Sequence, residues 1–156
     1  MYEDRFSVWV SWLNRDALNN INCPGVYAIR VSIRNIENRK FSWHKEIAYI
    51  GMTNGISGLK GRLKAFDNTI NGKRGHGGAD RFRFKYQNYS GLVKKLYVSV
   101  APFNADVKTN SPKDLIIMGN VAKFEYQGFA QYTGKFNELP EFNNKNLSKK
   151  YSLTHG

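Results

Sequence analysis

EIAYIGMTNGISGLKGRLKAF, residues 46–66, decides how the chain is to be read. Its first part, IAYIG (47–51), is short, apolar and β-prone, the pattern of a strand, and a turn-like Thr-Asn-Gly follows. Its second part places Leu59, Leu63 and Phe66, with Ile70 beyond, at i, i+4, i+7 and i+11, the apolar stripe of a helix that Ser57 can cap. A strand thus brings the Tyr49 phenol to its own end, and Arg62 follows at the edge of the helical stripe. A purely structural strand has no need of that arrangement.

Upstream, GVYAIRVSI (25–33) follows a Pro-Gly break and is rich in β-branched residues. As a strand it sends Tyr27, Ile29, Val31 and Ile33 to one side. The polar, charged RNIENRKFSWHK (34–45) then predicts an antiparallel pair joined by a long, exposed hairpin, with the two tyrosines approaching each other at one end of the sheet. Residues 6–19 carry Phe6, Val10, Leu13 and Leu18 near helical spacing and predict an N-terminal helix, although Val8 to Val10 also fits an extended segment.

Downstream, NGKRGHGGAD (71–80) has the composition of a loop. RFRFKY (81–86) alternates cations with aromatics and predicts a strand with one cationic face, and KLYVSVAPF (95–103) predicts another, stopped at Pro102. SPKDLIIMGNVAKFEYQGFAQYTG (111–134) opens with a Ser cap, Pro at the first helical position and an early Asp, so it should be the longest helix. The remainder, with a polar tail over about 145–156, is expected to wrap the surface and fray. There is no repeat, low-complexity tract or Pro/Ser linker, so residues 1–156 read as one domain of the α/β class in its α+β form: a small antiparallel sheet of three or more strands flanked by helices.

Twenty-four Lys and Arg against 12 Asp and Glu give a formal charge of +12, a field that attracts polyanions, so nucleic acid is the leading partner class. The alternative is a basic surface with no such partner. Cys23 is the only cysteine, which excludes an internal disulfide, fits a reducing cytoplasmic setting and leaves Cys23 a packing role. No apolar run approaches the roughly 20 residues of a membrane span, and no basic signal-peptide region opens the chain. His44, His76 and His155 are too scattered for a zinc centre, and no Walker-type loop is present.

One residue breaks the pattern of the long helix. Leu115, Met118, Ala122, Glu125, Phe129 and Tyr132 fall on one heptad-like stripe, and burying the Glu125 carboxylate there costs several kcal/mol unless a cation, a metal or hydrogen bonds compensate. A salt bridge to a Lys or Arg, or a slight helix rotation toward solvent, would equally account for it.

Taken in order, Gly-x-Tyr at 25–27, Tyr-Ile-Gly at 49–51, GLKGRL with Arg62, the helix with Glu125, and Pro-x-Phe-Asn in LPEFNN resemble the GIY-YIG nuclease superfamily over roughly residues 24–144. The resemblance implies hydrolysis of a DNA phosphodiester with one divalent ion per site, Mg²⁺ or Mn²⁺. Glu125 would hold the ion, Arg62 would clamp the phosphate, and Tyr27 and Tyr49 would position or deprotonate the attacking water. A phenol of pKa near ~10 is a base at neutral pH only if cations lower it; otherwise it orients the water. Asn143 of LPEFNN would orient the metal-binding Glu or a phosphate, with Asn137 the alternative.

The chain departs from the pattern in three places. Met52 stands where many relatives have a basic residue, and Phe66 where they have His or Tyr; His76 is the natural substitute, its Gly-rich loop able to carry the imidazole and backbone N–H groups to a phosphate. The insertion between GVY and YIG either touches a DNA groove or covers a sheet edge. Lys60, Lys64, Lys73, Arg74, Arg81 and Arg83 are the candidate DNA-phosphate contacts. The resemblance thus suggests a cytoplasmic endonuclease of restriction, phage defence or a mobile element, acting as a homodimer or by nicking. A catalytically silent nucleic-acid-binding module of the same fold is the alternative. A basic structural protein would bring no convergence of Tyr27, Tyr49, Arg62 and Glu125.

Overall fold

A computed structural model of the chain describes residues 1–146 and 148–155. Four strands, β1 (Val10–Ser11), β2 (Gly25–Val31), β3 (Ile47–Thr53) and β4 (Leu96–Pro102), form one antiparallel sheet in the spatial order β1-β4-β2-β3. The fold is therefore α+β, as the sequence predicts. β2 is central, so both its faces are covered: Tyr27 and Ile29 enter one core, Val26 and Ala28 the other. The register sets Tyr27 opposite Gly51 and Ile29 opposite Tyr49, which puts both phenols on one face. Just beyond, a bulge places Ala48 as the extra residue between Tyr49 and Ile47.

That face is packed by α1 (Gly58–Ile70), α2 (Gly77–Lys85) and α3 (Tyr89–Val93). The expected stripe of α1 is its core face, with Leu59, Leu63, Phe66 and Ile70 all buried. The start of α1 is held differently from the expectation. The Ser57 side chain makes no capping bond; instead the N–H groups of Leu59 and Lys60 donate to Cys23 O (2.9 Å) and Ile21 O (2.6 Å), and Gly58 takes the left-handed φ of +62° that this docking requires. Cys23 is half-buried in that junction.

The opposite face is packed by α4 (Pro112–Phe136) and by residues 2–9. The Ser111 side chain accepts the Asp114 N–H at 3.2 Å, as its position predicts. Asn137, at φ +60°, ends the helix by donating its N–H to Thr133 O, so it serves as a terminator. The core-facing residues of α4 are Val121, Phe124, Gly128 and Tyr132, a stripe rotated from the predicted one. Leu115 is 48% exposed, and Glu125 borders the seam, half-buried. The rotation follows from the N-terminal segment: Tyr2 stacks on Phe124 at 4.0 Å between centroids, and its hydroxyl donates to Phe124 O at 2.6 Å.

Four sequence expectations are corrected. RFRFKY is not a strand but the body of α2: His76 caps it by accepting the Ala79 N–H, and Ala79 and Phe82, three apart, are the buried pair. Its alternation reflects helical contacts of three separate cations, Arg81 to Gly77 O, Arg83 to Gly72 O and Lys85 to Glu141. Residues 6–19 are not one helix; they form an extended segment, β1 and a 3₁₀ turn at Trp12–Ala17, because Val10 pairs with Val98 while Leu13 faces solvent. The 34–45 hairpin is not wholly exposed, since Ile36 and Phe41 are buried in the α4-side core and β1's neighbour Trp9 exchanges backbone hydrogen bonds with Asn38 and Arg39. Within the expected tail, α5 (Tyr151–His155) docks on α2: Ser152 donates to Asp80, and Arg83 lies 3.7 Å over the Tyr151 ring. Leu147 and Gly156 of that tail, and the side chains of Thr154 and His155, lie outside the described residues.

Candidate active site

The site is built where β2 and the edge strand β3 meet the first turns of α2. Tyr27 is fully buried and Tyr49 partly so, with ring centroids 6.1 Å apart. Two glycines make room for them. A Cβ on Gly51 would fall 2.4 Å from Tyr27 Cζ and Oη, and one on Gly78 would fall 2.5 Å from Tyr49 Cζ. The glycine of Tyr-Ile-Gly thus makes the room that the Tyr27 phenol fills, and Gly78 does the same for Tyr49.

His76 caps α2 and lies 2% exposed beneath the phenols. Its Nδ1 accepts the Ala79 N–H (3.2 Å), so in the neutral ring the proton sits on Nε2, 2.6 Å from Tyr27 Oη. Burial, with Arg62 adding to it, holds the imidazole pKa down to about 3, so neutral is its working form. His76 therefore donates to Tyr27, and its ring is turned inward against the phenols. Phe66 packs edge-on against it at 5.0 Å. The apolar residue at position 66 and the histidine at 76 form one arrangement, in which Phe66 buttresses a hydrogen-bonding ring supplied from the next helix.

Arg62, half-buried on α1, lines the cavity beside Tyr49 and faces the same cluster. Its positive charge favours the phenolates, yet burial outweighs it, and both phenols are raised above their ordinary pKa, Tyr27 the more. Glu125, on α4, lies close enough for its charge to act on Tyr27, Tyr49 and Arg62. Burial raises its carboxyl to about 7, with Arg62 opposing. Among the described residues no ion pair within 4 Å involves Glu125. So the carboxylate is not locked in a structural salt bridge: it sits between desolvation and one guanidinium.

Among the described residues there is no cluster of three or more His, Cys, Asp or Glu side chains. A divalent ion here would take Glu125 as its protein ligand and fill its other positions with water and phosphate oxygens. Mg²⁺ commonly binds in this way, so the donor set fits in kind.

Asn143 is engaged with backbone. Its Oδ1 accepts the Ile50 N–H and its Nδ2 donates to Ile50 O, both at 2.8 Å, so the amide acts as a one-residue strand on the free edge of β3. It fixes the backbone next to Tyr49 and lines the cavity beside it. Of the six basic candidates, Lys60, Lys64, Lys73 and Arg74 are exposed, and Arg83 is engaged with Gly72 and Tyr151. Arg81 alone of the six lines the cavity beside Tyr49 and Arg62, together with Lys145 and Lys150 from the segment read as tail. Gly78, Lys145 and Lys150 were missed by sequence reasoning. The glycine pair in GHGGAD was a signal for the first; for the two lysines the sequence offered none beyond charge.

No protein family, curated protein or solved structure matches the chain.

Proposed function

We propose that this chain is a metal-dependent endonuclease that hydrolyses DNA phosphodiester bonds, of the kind used in restriction, phage defence or mobile elements. The observation that carries the reading is a half-buried carboxylate, without an ion-pair partner among the described residues, within electrostatic range of one guanidinium and two phenols. A divalent ion bound at Glu125 would supply charge neutralisation on the scissile phosphate and a water of lowered pKa. Arg62 is placed to bind a nonbridging phosphate oxygen, where negative charge grows as water oxygen bonds to phosphorus and the bond to the sugar oxygen breaks. Burial keeps Tyr27 and Tyr49 as neutral phenols, which assigns them to orienting the attacking water and the phosphate rather than to removing the proton. His76 holds Tyr27 Oη as an acceptor, leaving the phenol proton aimed at the rest of the site.

The test is nicking of supercoiled plasmid in Mg²⁺ or Mn²⁺. The wild type should cut, while Glu125→Ala and Arg62→Ala should bind DNA without cutting it. A wild type that binds DNA and leaves the plasmid intact across metals would make the chain the silent binding module instead. Mapped ends would report whether one strand or two are cut, and hence whether the chain acts as a homodimer.

A further inference from the structure

Next to the catalytic cluster, between the start of α2 and the segment from Asn143 to Lys150, lies a cavity of about 300 Å³. Arg62, Arg81, Lys145 and Lys150 line it, together with Tyr49 and the Asn143 amide already engaged with β3, and among the described residues no carboxylate does. The positive charges of Arg62, Arg81 and Lys145 around so small a space repel one another, and an anion placed among them relieves that repulsion.

The cavity is also built to donate. Arg81 is anchored by Nη1 to Gly77 O (3.3 Å), while its Nε is buried without a hydrogen-bond partner among the described residues. A buried guanidinium N–H left unsatisfied points to a group that the protein itself does not supply. Gly77 and Gly78, in the first turn of α2, form another wall, so the positive end of the helix dipole opens here. The Lys150 ammonium lies over the same turn: a Cβ on Gly77 would come 3.1 Å from Nζ. Asp80, a carboxylate on α2, lines a neighbouring cavity and accepts both Ser152 donors.

We infer that this cavity is a subsite for a second, non-scissile phosphodiester of the same nucleic-acid strand. Tyr49 and Arg62 border both it and the reaction centre, so the phosphate held at Arg81 neighbours the one that is cut. The guanidinium and two ammoniums recognise phosphate charge and geometry without reading bases, so the subsite sets the strand's register on the enzyme. The inference rests on the endonuclease reading for the identity of the strand, but not for the binding of phosphate.

Two measurements test it. In ¹⁵N NMR of the metal-free protein, inorganic phosphate should shift the Arg81 Nε–H and the Gly77 and Gly78 amides, and the glycine shifts should vanish in Arg81→Gln. With a single-stranded oligonucleotide lacking terminal phosphates, Arg81→Gln and Lys150→Gln should each weaken binding by about 5- to 20-fold and lower the slope of log affinity against log salt by about 1. An Arg81 Nε–H unmoved by phosphate, or an unchanged slope in a folded Arg81→Gln, overturns the subsite even if the wild type nicks DNA. An Arg81 effect confined to oligonucleotides with a terminal phosphate overturns it in favour of an end-binding pocket. If phosphate and slope behave as expected but plasmid stays intact, the subsite stands and the endonuclease reading falls.

Discussion

Replacing Glu125 by Gln should stabilise the metal-free protein, which a residue retained for packing or a salt bridge would not do. Burial raises the Glu125 carboxyl from 4.5 to about 7, a value that already includes the opposing effect of Arg62. Because the folded state holds the proton more tightly than the unfolded chain, the carboxyl contributes its full stability below about pH 4.5 and loses it as pH rises toward 7. At 1.36 kcal/mol for each pH unit the gross cost of ionising it in the fold is roughly 3 kcal/mol, and discounting for its solvent-facing side leaves about 2 kcal/mol at pH 8. Gln keeps the shape and never ionises, so Glu125→Gln in EDTA should gain about 2 kcal/mol at pH 8, or ~4–8 °C in Tm, and almost nothing at pH 4.5. Urea and thermal unfolding followed by circular dichroism from pH 4.5 to 8.5 measures this. Adding Mg²⁺ should then stabilise the wild type and leave Glu125→Gln unmoved, since only a carboxylate holds the ion. The reasoning fails if Glu125→Gln is the less stable protein at pH 8, for then the charge has a structural partner, or if Mg²⁺ raises both melting temperatures alike.

Other consequences follow from the same geometry. Arg62→Ala should lower the nicking rate by about 10²–10³-fold and Arg62→Lys should recover only part of it, because an ammonium lacks the planar fork proposed to bind a phosphate oxygen. Gly51→Ala and Gly78→Ala, whose methyls would meet Tyr27 and Tyr49 at 2.4 and 2.5 Å, should each cost about 1–3 kcal/mol in denaturant unfolding and nearly all activity; an active, fully stable Gly51→Ala would remove the steric account of the motif. His76, held neutral with its pKa near 3, should keep the Nε2–H tautomer in ¹⁵N NMR between pH 5 and 8. As its folded pKa lies below the unfolded 6.5, its contribution is complete above that value and falls with acidification, about 2 kcal/mol by pH 5; this opposes the Glu125 effect, so Glu125→Gln should show the steeper acid loss. Asn143→Asp, unable to donate to Ile50 O, should cost about 1–3 kcal/mol and broaden Tyr49 ring resonances, whereas a role on the metal would appear as a lost Mg²⁺ effect with stability unchanged.

The sequence by itself determined the elements whose signal is local. The alternation in GVYAIRV, the i, i+4, i+7 stripe ending at Ile70, and the Ser-Pro-x-Asp start at 111 each encode an element through its own periodicity or cap, and the order of Tyr27, Tyr49, Arg62 and Glu125 along them was legible too. Tertiary structure decided what depends on a partner distant in the chain. RFRFKY alternates like a strand, yet the His76 cap and the contacts of Phe82 make it a helix, because helical hydrogen bonds close within the segment while a strand there has no neighbour to pair with. The face of α4 was settled by Tyr2, more than a hundred residues away, stacking on Phe124 and turning Glu125 to the border of the seam. The inward aim of His76, the Asn143 bridge to the β3 edge and the placing of Lys150 against Arg81's cavity have the same cause: each is fixed by hydrogen bonds or charges that meet only once the sheet and α2 are assembled.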